Sequence, residues 1–276
     1  MEQLTWTNGQ GLRIYASHWP VSQPEAVITL VHGMGEHIGR YAHLAQWFNR
    51  NGVAVLGYDQ QGYGQSEGRR GHAKNLDVLL DDIGQALAET RKRYPDVPHF
   101  LYGHSMGGNL VLNYLLQRKP ELAGVIATAP WIRLAFPAPL LKVLAGRVLH
   151  RFLPTLRLPN GLAVHFLSHD PAVVAAYQND PLVHNQLSLA AGIQLLDASI
   201  WLDQYAGETP LPLLLQHGGD DKLTSAQATR DMAGRLQGPV THREWPGLYH
   251  EIHNEPEQAA VFGFTLDWMR SVANLK

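Results

Sequence analysis

Residues 101–110 read "LYGHSMGGNL", and the setting of Ser105 among Gly103, Gly107 and Gly108 decides how the rest of the chain is read. The stretch completes an apolar run, "PHFLYG", and opens a helix-like run over 106–119. Gly103-His104-Ser105-Met106-Gly107 fits the pattern G-x-S-x-G, in which a sharp strand-to-helix turn holds a serine hydroxyl out at the end of a strand. Glycines flank such a turn because side chains at those positions collide with neighbouring backbone. The helix that follows aims free N–H groups and its positive dipole end at whatever bonds to the serine. The context on both sides favours a presented hydroxyl over a glycine-rich turn with an incidental serine.

Outward from this turn the same alternation recurs. "EAVITLVHG", "VAVLGYD", "LAGVIATAP", "PLPLLLQHG" and "GPVTHREWPG" read as strands, and 41–51, 76–94 and 256–272 read as helices. Short, wholly apolar strands separated by helices are what a parallel sheet covered on both faces requires. The N-terminal "MEQLTWTNGQGLRIYASHW" alternates apolar and polar residues and reads as two short strands around an Asn-Gly turn. The expected class is therefore α/β, a mostly parallel, doubly wound sheet preceded by an antiparallel hairpin. Between 131 and 208 the rhythm breaks, with several prolines and the helix-like stretches "APLLKVLAGRVLHRFL" and "LAAGIQLLDASIWLD". That interval reads as a mostly helical cap, inserted over the carboxyl ends of the strands, with 1–130 and 209–276 as the core.

Composition sets limits on function. The 276 residues are 45% apolar and 17% charged with a net charge of -2, which offers no field to attract nucleic acid. Zero cysteines exclude disulfides, thiolate metal sites and a cysteine nucleophile. The N-terminus has no basic segment followed by an apolar one, and no run reaches the roughly 18 apolar residues of a spanning helix. A cytoplasmic protein is expected, with any membrane contact peripheral.

A serine hydroxyl needs a base to take its proton, and the base needs an acid to orient it, in the chain order serine, acid, histidine. His250 in "WPGLYHEIHNEP" lies in a loop between the last strand and the last helix, and His253 is its rival. The spacing of "HEIH" does not match the zinc motif H-E-x-x-H, so no metal is expected. The acid should follow "PLLLQHG", where both Asp220 and Asp221 stand, while Asp59, Asp197 and Asp203 read as turn or surface residues. Donors for an oxyanion are the backbone N–H of Met106, directly after the serine, and that of Met34 in "HGMGEH". This chemistry needs no cofactor.

"HGMGEHIGRY", "YDQQGYGQSEG", "YGHSMGGNL", "NDPLVHNQLSLAAGIQLLDA", "LLLQHGGDDKL" and "YHEIHNE" together resemble the monoacylglycerol lipase and lysophospholipase branch of the serine α/β-hydrolases, nearly end to end. The resemblance implies the α/β-hydrolase fold and a triad of Ser105, Asp221 and His250, since the branch's G-x-x-D-x-L pattern counted from Gly218 falls on Asp221. It also implies a polar headgroup pocket at Glu36, Arg40, His104 and Tyr177. Read without it, Glu36 and Arg40 are equally an exposed ion pair, and His104 equally packs beside the turn. The implied activity is hydrolysis of a monoacylglycerol, a single-chain lipid ester, through an acyl-enzyme. The alternatives are a lysophospholipase or short-chain carboxylesterase and, from another class, a silent lipid-binding module. Lys142, Arg147, His150 and Arg151 lie within "LLKVLAGRVLHRFL", which would suit either a helix lying on lipid or one packed on its own domain. The branch's animal members carry cysteines near the acid and the cap, so thiol-dependent control should be absent here.

Overall fold

The apolar runs become the centre of one eight-stranded sheet in a computed structural model that describes residues 1–137 and 140–275. In chain order the strands are β1 (Glu2–Thr7), β2 (Arg13–Trp19), β3 (Ala26–Val31), β4 (Val53–Tyr58), β5 (His99–His104), β6 (Gly124–Thr128), β7 (Arg157–Pro159), β8 (Gln186–Ser188), β9 (Leu213–Gly218) and β10 (Val240–Trp245). The large sheet runs β1-β2-β4-β3-β5-β6-β9-β10, while β7 and β8 form a separate antiparallel pair. Only the pairs β1–β2 and β2–β4 of the large sheet are antiparallel. Every residue of β3, β4, β5, β6 and β9 is buried, as a sheet covered on both faces demands.

The helices are α1 (Ala42–Arg50), α2 (Leu76–Arg93), α3 (Met106–Arg118), α4 (Leu140–Leu149), α5 (Pro171–Asn179), α6 (Leu189–Gln204), α7 (Ala226–Arg235) and α8 (Gln258–Ala273). Side chains of α1 and α8 pack on one face of the sheet, through Leu44, Phe48, Phe262 and Met269. Those of α2, α3, α6 and α7 pack on the other, through Leu80, Leu110, Leu195 and Met232. Burying each such side chain contributes about 1.5–3 kcal/mol, so both faces contribute substantially to holding the sheet.

Locally the fold carries detail beyond these expectations. The N-terminal hairpin does not turn on Asn8-Gly9 alone: the connection extends to Leu12, with the Asn8 side-chain carbonyl accepting from the N–H groups of Gln10 and Leu12, both at 3.0 Å. Within 131–208 the helices α4, α5 and α6 are accompanied by the short strands β7 and β8. Pro171, one of the prolines of this interval, starts α5, because a proline at the first helical position gives up an N–H that had no partner, and Asp170 caps the turn. α7 was not anticipated; its N-cap Ser225 accepts from the Ala228 N–H at 3.1 Å.

Candidate active site

Ser105 sits between β5 and α3 with φ 54 and ψ −114, a backbone region that side chains other than glycine rarely occupy. What holds it there is the absence of neighbouring side chains. A Cβ on Gly103 would lie 2.3 Å from the Gly107 carbonyl oxygen, and one on Gly107 would lie 2.2 Å from that of Val31. Gly108 faces Pro130 with similarly little room, 2.9 Å from its Cα, so all three glycines are required by close approach. The Ser105 N–H donates to the Thr128 carbonyl at 3.0 Å, tying the turn to the adjacent strand β6.

The loops at the carboxyl ends of β9 and β10 supply the next two groups. His250 Nε2 lies 2.9 Å from Ser105 Oγ, and His250 Nδ1 lies 2.7 Å from Asp221 Oδ2. An ionised carboxylate can only accept, so Nδ1 carries the hydrogen and Nε2 is free to accept from the serine. Asp221 is buried and holds further donors: the N–H groups of Leu223 (2.7 Å) and Thr224 (3.1 Å) on Oδ1, and the Thr224 hydroxyl (2.8 Å) on Oδ2. Burial pushes its carboxyl up, but His250 and the hydrogen bonds from His217 and His250 outweigh that and hold it well below the usual carboxylate range. Burial pulls His250 down, yet Asp221, with Glu251 and Glu36, carries its imidazole above the ordinary histidine value. Asp220 is not hydrogen-bonded to His250; its N–H donates to the Leu248 carbonyl at 3.0 Å.

The loop after β3 abuts the serine. A Cβ on Gly33 would lie 3.4 Å from Ser105 Cβ, so this loop passes within contact distance of the serine. Met106 opens α3, where the first N–H groups of a helix have no intrahelical acceptor. Glu36 Oε1 accepts from the Gly33 N–H and the Tyr41 hydroxyl, both at 2.6 Å, and so braces this loop from behind. Asp59 also proves structural, accepting the N–H groups of Ile38 (2.8 Å) and Gln65 (2.7 Å).

Glu36 and Arg40 are not an exposed pair. Arg40 donates to Glu36 at 2.5 Å and, through two nitrogens, to Glu251 at 2.7 Å each, with all three side chains less than a tenth exposed. Its guanidinium lies 4.8 Å from the centre of the Tyr177 ring, so a residue from α5 covers the cluster. Burial pulls the guanidinium down, but Glu251 and Glu36 carry it well above its usual value. Glu251 was missed in the sequence, where an acid next to His250 carries no sign of its partner 211 residues away. His104 is packed between His250 and His253, with ring centres at 4.8 and 4.7 Å, and its Nδ1 is 3.2 Å from the Thr128 hydroxyl. Burial, together with those two rings, keeps it well below the ordinary histidine value. His253 is stacked on Tyr41 at 4.8 Å and makes no hydrogen bond with Ser105 or Asp221.

The family model described as serine aminopeptidase, S33 (Hydrolase_4) matches residues 22–257. The chain belongs to this family. Within it, the chain is 34% identical over 265 residues to the monoacylglycerol lipase of Mycolicibacterium smegmatis, covering 95% of this chain and 94% of that protein. It is 39% identical over 254 residues to an uncharacterized abhydrolase domain-containing protein of Dictyostelium discoideum, covering 91% of this chain but only 27% of that one. The crystal structure of the Paleococcus ferrophilus monoacylglycerol lipase superposes with a TM-score of 0.85 at 32% identity, covering 94% of this chain and 99% of that one. This family member therefore has the α/β-hydrolase fold expected of it. Among the described residues no group of three or more His, Asp or Glu is placed to hold a metal ion, and no helix is long and apolar enough to cross a membrane.

Proposed function

We propose that this chain hydrolyses monoacylglycerols to fatty acid and glycerol, with Ser105 as nucleophile, His250 as base and then acid, and Asp221 orienting His250. The observation that carries the reading is the hydrogen-bonded series from Ser105 Oγ through His250 to Asp221 at 2.9 and 2.7 Å, set on a turn that presents the hydroxyl. His250 takes the serine proton as Oγ attacks the ester carbonyl, and the backbone N–H groups of Met34 and Met106 take the developing oxyanion. Return of the proton releases the alcohol and leaves an acyl-enzyme. Water, deprotonated by His250, then frees the acid.

The substrate assignment draws on two relatives that are monoacylglycerol lipases and on the polar cluster beside the serine. In this reading the buried cluster of Glu36, Arg40, His104 and Tyr177 supplies the polar side of the headgroup site, and the 131–208 segment acts as its cap. Leu141, Leu144, Val148 and Phe152, on and just after α4, are all exposed and give that cap an apolar outer surface for peripheral contact with lipid. Arg147 does not contribute free charge there, since it pairs with Asp197. The side chain of Lys142 lies outside the described residues.

Labelling with a fluorophosphonate tests the chemistry. The intact protein should be labelled and Ser105→Ala should not, with residual turnover about 10³ to 10⁴-fold over water. An unlabelled, folded wild-type protein would instead support a binding module. Turnover of a monoacylglycerol, a lysophospholipid and a small aryl ester tests the substrate, and reaction with the aryl ester alone would overturn the lipid assignment.

A further inference from the structure

Asp221 Oδ2 serves two histidines. Beside His250 Nδ1 at 2.7 Å, His217 Nε2 lies 3.0 Å from the same oxygen. His217 is the second-last residue of β9 and has no solvent exposure. Its other ring nitrogen, Nδ1, is 2.8 Å from the Thr229 hydroxyl on α7. A lone pair on Nε2 would face an anionic acceptor at 3.0 Å, an arrangement that is electrostatically unfavourable in a buried site. With the hydrogen on Nε2, each polar atom is matched: Nε2–H donates to Asp221, sharing with the Thr224 carbonyl at 3.2 Å, and Nδ1 accepts from the Thr229 hydroxyl.

We propose that His217 is a positioning residue that donates its Nε2–H to Asp221 and so sets how strongly Asp221 raises the basicity of His250. The inference rests on the triad reading given above. The physical link is competition for one oxygen. Each donor to Oδ2 spreads the carboxylate charge, and what His217 draws off is withheld from the imidazolium that forms at His250 during the reaction. Without His217 the carboxylate holds that imidazolium more tightly, and the base keeps its proton to higher pH.

Other charges around the pair are accounted for by element. His250 faces His104 at the end of β5, Glu36 in the loop after β3, and Glu251 and His253 in its own loop. His217 faces Asp221 and His250 in the two loops and His242 on the neighbouring strand β10. Besides His217 and His250 itself, only the Thr224 hydroxyl, at 2.8 Å, donates to Asp221 Oδ2 among the described residues, and it stays in place in both His217 variants.

The test compares His217→Leu, which removes the donor, with His217→Gln, which keeps an N–H at a similar reach. Active sites are first counted by fluorophosphonate labelling, and kcat/KM is then followed against pH. In His217→Leu the acid limb is expected to move up by roughly half a unit to one unit with KM unchanged, and in His217→Gln to return towards its original position. A lower count of active sites with an unmoved limb would show a packing role only and overturn the proposal. ¹⁵N-histidine spectra of the unmodified protein give a second readout should His217→Leu not fold. A hydrogen on Nε2 of His217 is expected, and one on Nδ1 alone would overturn the proposal. Failure of wild-type labelling at Ser105 would mark failure of the triad reading itself, a separate outcome.

Discussion

His250 is drawn two ways, down by burial and up by the Asp221 carboxylate, and the net direction is up from 6.5. A general base acts only when unprotonated, so kcat/KM should fall with decreasing pH along a limb whose midpoint lies above 6.5. A midpoint below that value, measured with a neutral ester, would mean that Asp221 does not govern the base. His253, three positions on, behaves oppositely: burial dominates and keeps it at about 3, so it remains neutral throughout the working range. His253→Ala should therefore keep fluorophosphonate labelling at Ser105 and the same acid limb, whereas His250→Ala should lose labelling. The reverse result would exchange their roles.

At the scale of elements, the N-terminal hairpin is clamped to α2 through a buried carboxylate. Asn8 Nδ2 donates to both oxygens of Asp82, at 3.0 and 3.3 Å, and to Gln61 Oε1 at 3.3 Å. Burial lifts Asp82 to about 7 from 3.8, with the Asn8 hydrogen bond pulling the other way. Between 3.8 and about 7 the folded chain holds a proton that the unfolded chain has released. The unfolding free energy must then decline as pH rises through that window, and stay at its lower level above it. Asp82→Asn cannot lose a proton, so denaturant titrations at pH 5 and pH 8 should show the variant gaining on the wild type at the higher pH. Equal differences at both values would mean that Asp82 is ionised in the fold throughout. A second clamp joins the histidine loop to the 131–208 segment. Glu255, fully buried, accepts from the N–H groups of Tyr249 (2.7 Å) and His169 (3.0 Å), and the Glu251 N–H donates to the Leu167 carbonyl at 2.8 Å.

Over the whole molecule, most of the exposed large apolar side chains among the described residues lie in one region, α4 and the residues that follow it to 158, with Ile200 and Trp201 on α6 as a smaller exposed pair. Replacing Leu144 and Val148 together with Glu should abolish co-sedimentation with lipid vesicles and slow turnover of vesicle-borne monoacylglycerol, leaving a soluble aryl ester unaffected. Equal loss on both substrates would show that α4 shapes the pocket instead of meeting lipid. The arrangement of the core is legible in the sequence, because wholly apolar strands and the glycines around Ser105 are local signals of burial and close approach. Ser105, Asp221 and His250 were also named from the sequence, the serine from its turn and the other two from their loops and the family pattern. What these signals could not convey was pairing at a distance. Glu251 finds Arg40, His217 shares the oxygen that His250 uses, and Asn8 reaches Asp82, each across a gap the chain closes only by folding. By itself, then, the sequence determined the sheet, the turn and the loops that carry the serine, the acid and the histidine, while the choice of Asp221 over Asp220 needed the family pattern. Only the tertiary structure decided how those groups are charged and held, because hydrogen bonding and burial depend on which distant residues exclude water from the site.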